Sequence, residues 1–151
     1  MLIIGCGNRR RGDDAAGVLV AERLRKLGIK ADTCTGQAAD LIEAWTGADD
    51  VAVVDVVVTG APVGTVRTWG AHPPFISCKA AVSTHGLGVA EAIELSRILD
   101  RLPARLQIYG IEGRRFEDGG EISPKLHSGI EEVVRRIIDA IRTAPNFDLV
   151  R

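Results

Sequence analysis

The chain has 151 residues, with 19 Lys and Arg against 20 Asp and Glu, and a formal net charge of -1 excludes the basic excess of a nucleic-acid binder or membrane-surface protein. Apolar residues at 46% and charged residues at 26% suit one soluble globular domain, long enough to bury roughly 70% of its unfolded surface without staples. Cys6, Cys34 and Cys78 are odd in number, widely spaced and free of CxxC pairing, which indicates neither a disulfide framework nor a structural zinc site and points to a reducing cytoplasm.

Met1 to Cys6 reads as a short apolar strand, followed by a glycine-rich turn and an amphipathic helix whose first turn carries Asp13 and Asp14. The apolar start is too short for a signal peptide, and no run reaches the ~20 apolar residues of a transmembrane helix. Ala16, Val20, Leu24 and Leu27 recur at helical spacing up to Gly28. Ile29 to Cys34 is a weakly signalled second strand, and Ala38, Leu41, Ile42 and Trp45 mark a second helix. Val51 to Val58 has the composition of a strand buried on both faces, the centre of a mostly parallel sheet, interrupted by Asp55. Gly64 to Trp69 alternates as an antiparallel hairpin partner at an edge, reached through a tight turn at Thr59 to Pro62.

A loop of about fifteen residues follows from Gly70 to Thr84, broken by Pro73 and Pro74. His85 then opens a helix with Val89, Ile93, Leu95, Ile98, Leu99 and Leu102, which stops before Pro103. Leu106 to Ile111 is the last strand, Glu112 to Pro124 a second surface loop, and Leu126 to Ile141 the helix with the cleanest apolar stripe. No internal repeat or linker divides the chain. The expected architecture is a three-layer α/β domain over residues 1–145, a mostly parallel twisted sheet of about five strands with helices on both faces, and residues 146–151 as a frayed tail.

Three polar groups stand where strands end: Asp14 in the first helix, Asp55 in the valine strand and His85 after the long loop. If the first and third strands are neighbours, all three approach one carboxyl edge, and two oxygen donors with one nitrogen donor suit a borderline divalent metal such as zinc or nickel. Each has a plainer reading. Asp13 and Asp14 fit helix capping, Asp55 a loop cap and His85 a local hydrogen-bonding group. Cys6 reads as a small buried cysteine, with a reactive thiolate as the alternative. Arg9 to Arg11 read as a solvated turn, with a substrate-carboxylate contact as the alternative. Ser77 and Ser83 sit in no nucleophile elbow, and His72 and His127 have no evident partner.

With these residues in place, the chain resembles the hydrogenase maturation proteases, endopeptidases that trim the C-terminal extension from the large subunit of nickel–iron hydrogenases. The likeness is carried by Gly5-Cys6-Gly7-Asn8 with Gly12-Asp13-Asp14-Ala15-Ala16-Gly17-Val18, by Val53-Val54-Asp55-Val56 with Gly60 to Thr65, by Ser83-Thr84-His85-Gly86-Leu87-Gly88, and by Tyr109 to Glu112 with Ile122-Ser123-Pro124. The resemblance implies that Asp14, Asp55 and His85 contact metal, and that Asp14 or Asp55 also works as a base. It implies nickel supplied by the hydrogenase large-subunit precursor, no resident organic cofactor and a cytoplasmic setting.

Three departures bear on the substrate and the site. Thr33-Cys34-Thr35-Gly36-Gln37 stands where many members carry Asp-Gly-Gly-Thr, in a loop expected to read the substrate. Asp14 stands where some members carry glutamate, moving the oxygens by about 1.5 Å. Gly113 replaces a proline after Glu112, which is expected to loosen the second loop. Two rival functions are weighed. One is a chaperone that binds nickel or precursor without cutting. The other is a nucleotide-binding module suggested by Gly5-x-Gly7, disfavoured because the third glycine is displaced to Gly12 and Asp13 and Asp14 would repel a pyrophosphate.

Overall fold

A computed structural model describes residues 1–71, 82–83 and 88–144. Its elements run β1 (Leu2–Cys6), a 3-10 turn (Gly12–Ala15), α1 (Ala16–Lys26), β2 (Asp32–Cys34), α2 (Ala38–Trp45), β3 (Asp50–Val58), β4 (Val66–Gly70), β5 (Val82–Ser83), α3 (Gly88–Ile98), β6 (Arg105–Glu112) and α4 (Leu126–Thr143). The sheet order is β2-β1-β3-β6-β4, with the two-residue β5 pairing with β3. β2, β1, β3 and β6 are mutually parallel, while β4 and β5 are antiparallel to their partners.

The valine strand lies at the centre because both of its faces are apolar. Ala52, Val54 and Val56 join one core cluster, with Ala16, Val20 and Leu24 of α1 and Leu126, Ile130, Val133, Val134 and Ile137 of α4. Val51 and Val53 join the other, with Leu41, Ile42 and Trp45 of α2 and Val89, Ala92 and Ile93 of α3. Alternate side chains of one strand therefore feed two helical layers, the signature of a sheet covered on both sides. This is the expected three-layer α/β fold.

Three expectations are corrected. β4 is an antiparallel edge strand, but it pairs with β6 from Val66↔Ile111 to Gly70↔Gln107 rather than forming a hairpin with β3. β6 already occupies that flank of β3 over eight register pairs, from Asp50↔Arg105 to Val57↔Glu112, and so displaces β4 outward. Leu27 does not continue the stripe of α1; it is the C-cap residue and 60% exposed. In α3 the inward stripe is Val89, Ala92, Ile93 and Ser96, so Leu95, Ile98 and Leu99 face outward. Apolar residues on two sides of a helix leave its rotation to be decided by partners, and Ser96 is drawn in by the buried Trp45 indole, whose Nε1–H donates to Ser96 Oγ at 2.9 Å. Among the described residues no helix is long and apolar enough to cross a membrane. The expected tail 146–151 lies outside the described residues.

Candidate functional site

β1 sits between β2 and β3, so the chain leaves β1 toward one side of the sheet while β3 and β6 extend it on the other. In an open parallel sheet this reversal leaves a crevice at the carboxyl ends of the two central strands. Two of the candidate carboxylates flank it. Asp55 is on β3, and Asp14 is in the 3-10 turn that follows β1.

The chain reaches this position because of two glycines. Gly7 has φ +139°, and a Cβ there would lie 1.9 Å from the Asp14 carbonyl oxygen. Only a residue without a side chain lets the backbone turn back so tightly. Gly17, in the first turn of α1, lies so close to the sheet that a Cβ would meet the Cys6 and Val54 carbonyl oxygens at 2.3 and 2.5 Å. The helix thus seats directly over the β1–β3 seam.

Asp14 is fully buried, and its Oδ2 accepts the Asn8 N–H at 3.1 Å while its own carbonyl accepts the same N–H at 3.2 Å. Neither aspartate caps α1, whose N-cap is Ala15 without a side-chain hydrogen bond. Asp55 is 1% exposed, and its Oδ1 accepts the N–H of the next residue, Val56, at 2.8 Å. His85, Ser77 and His72 lie outside the described residues, so the structure brings together two of the three residues singled out as ligands. Among the described residues no group of three or more His, Cys, Asp or Glu side chains is placed to hold a metal ion. Arg9 lies on the surface and pairs with Glu22, in keeping with a solvated turn.

Asp13 has a different task from its neighbour. It is fully buried, and its Oδ2 accepts N–H groups from Arg114 and Arg115 at 2.8 and 3.0 Å and the Ser123 hydroxyl at 2.7 Å. Its Oδ1 accepts the Ser123 N–H at 2.7 Å. Burial pushes this carboxyl upward, but the N–H groups of Arg115, Ser123 and Arg114 and the Ser123 hydroxyl outweigh it and hold Asp13 below the ordinary carboxylate value. The Asp13 N–H donates in turn to the Arg115 carbonyl at 2.7 Å, and the Gly113 N–H to the Val57 carbonyl at 3.1 Å. The loop after Glu112 is therefore tied down rather than loosened by Gly113.

Glu112, at the end of β6, was legible only as part of a motif. Its Oε1 accepts the N–H groups of Thr59 and Gly60 at 2.7 and 2.9 Å, and its Oε2 the Thr59 hydroxyl at 3.0 Å. The two acids fix the walls of a cavity of about 540 Å³ lined by Gly60 to Val63, Arg114, Arg115, Ser123, Pro124 and Lys125.

Cys6 and Cys34 meet at the same edge, their sulfurs 3.4 Å apart. They are register partners on β1 and β2, and along β1 and β3 the next step after Gly5↔Val54 sets Cys6 beside Asp55. The hydrogen bond to Cys34 and burial raise the Cys6 thiol well above its ordinary value, and the charges of Asp55 and Asp14 add to the rise. Both carboxylates are thus close enough to one buried sulfur to act on it. The hydrogen bond with Cys6 lowers the Cys34 thiol against its burial, helped by the Gly36 N–H. Spacing in sequence concealed this pair; the sign of it was that each cysteine ends a predicted strand.

The family model described as HycI, hydrogenase maturation protease, matches residues 31–140. Among curated relatives, protein FrxA of Pyrococcus furiosus is 27% identical over 134 residues, covering 87% of this chain and 97% of its own length. The hydrogenase 2 maturation protease of Escherichia coli is 25% identical over 149 residues, covering 94% and 90%. Among solved structures, the [NiFe] hydrogenase maturation protease HybD from Thermococcus kodakarensis shares the fold, with a TM-score of 0.77 at 23% identity over 92% of this chain and 97% of that one.

Proposed function

Because the chain belongs to the hydrogenase maturation protease family and is therefore a peptidase, we propose that it removes the C-terminal extension of a nickel–iron hydrogenase large-subunit precursor, guided by nickel already inserted in that substrate. The observation that carries the site assignment is the burial of Asp14 and Asp55 at one carboxyl edge, where the strand order reverses and both act on the same thiol.

In this reading Asp14 and Asp55 contact the substrate's nickel together with His85, a donor set of two oxygens and a nitrogen that suits a borderline cation. Nickel bound in the precursor supplies Lewis acidity toward the scissile carbonyl or the attacking water. The work of this chain is to position. Asp55 is held by its strand and the Val56 N–H, and Asp14 by the Asn8 N–H, so neither carboxylate needs to reorganise when substrate arrives. Either carboxylate, where it is not occupied as a ligand, accepts a proton from the attacking water. The cavity beside Asp13 is within the ~300–1,000 Å³ range of ligand pockets and is the proposed seat of the precursor's extended segment. A cytoplasmic setting belongs to the same proposal.

The test is incubation of purified protein with nickel-loaded and nickel-free precursor, followed by mass spectrometry. Cleavage of the loaded form alone is expected. Equal cleavage of both, or of neither, refutes the reading, and a tight complex with unchanged precursor mass favours a chaperone. Asp14→Ala, Asp55→Ala and His85→Ala should each abolish processing while circular dichroism stays unchanged; full activity in any one removes that residue from the site.

A further inference from the structure

Cys6 and Cys34 are unused by the proposed cleavage, yet they stand next to its carboxylates. They occupy neighbouring parallel strands at paired register, on the sheet face that packs against α2 and α3. Adjacent strands lie ~4.8 Å apart, within the ~4.4–6.8 Å between α-carbons that a disulfide spans. The sulfurs are 3.4 Å apart, so bonding at ~2.05 Å needs an approach of roughly 1.4 Å. Cys6 is completely buried, whereas Cys34 is half-buried and is the last residue of β2, followed by the turn into α2. One sulfur is therefore enclosed, while the other belongs to a half-buried residue at the end of its strand, whose carbonyl accepts the Gly7 N–H at 3.1 Å.

We propose that Cys6 and Cys34 form a reversible dithiol–disulfide couple, an oxidation site at the mouth of the crevice flanked by Asp14 and Asp55. The pair is built unevenly for it: Cys34 is the half-buried partner that a reagent meets first, and Cys6 is the enclosed one left to resolve the mixed disulfide. Toward a low-molecular-weight disulfide such as oxidised glutathione, the Cys34 thiolate attacks one reagent sulfur, breaks the reagent S–S bond and expels one thiolate. Cys6 then attacks Cys34 Sγ as its proton passes to the departing thiolate, and the second reagent thiol leaves. Two protein thiols lose two electrons and two protons; one reagent disulfide becomes two thiols. The bond tethers the turn at Thr35 to Gln37 against the end of β1 and draws Cys34 across toward Asp55. Its effect on cleavage rests on the function proposed above, whereas its formation does not.

The experiment uses the full chain with Cys78→Ser, so that only this pair is read. Equilibration in glutathione buffers of rising oxidised fraction, followed by acid quench and intact and peptide mass, should show loss of two hydrogens, a Cys6–Cys34 cross-linked peptide and full reversal by dithiothreitol. Cys6→Ser should stop at a glutathione adduct on Cys34, and Cys34→Ser should stay unmodified, both with unchanged circular dichroism. Two free thiols persisting at full oxidant, or a stable adduct on Cys34 with Cys6 present, overturn the couple. Oxidised protein should cleave nickel-loaded precursor roughly tenfold or more slowly than reduced protein, since ångström-scale displacements near reacting groups have effects of that order. Equal rates overturn its placement at the site. Failure of the reduced protein to cleave counts against the proposed function and leaves the mass result to decide the couple.

Discussion

Asp13→Asn is the sharpest probe of how this edge is built, because it removes a charge and one acceptor while changing almost no volume. Asp13 takes three donors on Oδ2 and one on Oδ1. An asparagine oriented to keep its oxygen toward the three must present its NH₂ to the Ser123 N–H, donor against donor at a position now bridged in 2.7 Å. Leaving that buried N–H unpaired costs about 1–3 kcal/mol, and weakening three bonds from a charged to a neutral acceptor adds roughly 2 kcal/mol more. The expected loss is about 3–5 kcal/mol, which for a chain of this size lowers the thermal midpoint by ~10 °C.

The pH dependence has a definite sign. The folded carboxyl lies below its ordinary value of 3.8, so its contribution is complete above 3.8 and fades as pH falls through the folded value. The gap between parent and variant, measured by thermal melts from neutral pH downward, should therefore narrow in acid. A drop under about 2 °C at neutral pH, or a gap that widens in acid, refutes the assignment of Asp13 as the latch of this loop.

Glu112→Gln should cost no more than about 1 kcal/mol, because the amide oxygen keeps the Thr59 and Gly60 N–H groups and the Thr59 hydroxyl can turn to accept from the NH₂. Glu112→Ala removes both acceptor oxygens, and so all three hydrogen bonds, and should cost about 2–4 kcal/mol, with hydrogen exchange at residues 59 and 60 rising with it. Gly17→Ala forces a methyl onto two carbonyl oxygens of the sheet and should lower the urea midpoint by the equivalent of about 3 kcal/mol or prevent folding; a neutral result would mean that α1 is seated differently. Ser96→Ala strands the buried Trp45 indole N–H and should cost about 1–3 kcal/mol, read by urea denaturation, whereas Leu95→Ala on the outer face of α3 should cost far less.

The elements that could be read from sequence are those whose own residues decide their environment. The valine run announces a strand covered on both sides, and the 126–141 stripe announces a one-sided helix. Once β1 and β3 are neighbours, alternation and strand polarity alone bring Asp14 and Asp55 to the same edge. What could not be read depends on partners far along the chain. The partner of β4 is set by β6 filling the flank of β3, and the rotation of α3 by a single indole proton. Asp13 and Asp14 are adjacent, buried and chemically identical, and nothing local distinguishes the one that ties the loop after β6 from the one that accepts the Asn8 N–H. The distinction is made by N–H groups at 114, 115 and 123. Cys34 belongs to the same class, since its neighbour Cys6 is 28 residues away.

The latch at Asp13 also bears on when this protein becomes competent during its own synthesis. Its donors lie 101, 102 and 110 positions downstream, so the loop closed by those bonds spans most of the polypeptide. A nascent chain that has emerged only as far as β3 already holds Asp14 and Asp55 but lacks the donors at 114, 115 and 123 that Asp13 needs. Closure of so distant a contact comes late and carries a large entropic cost. A truncated translation product should therefore be inert toward other polypeptides, and the finished chain should acquire its cutting edge only after the loop following β6 has cleared the ribosome.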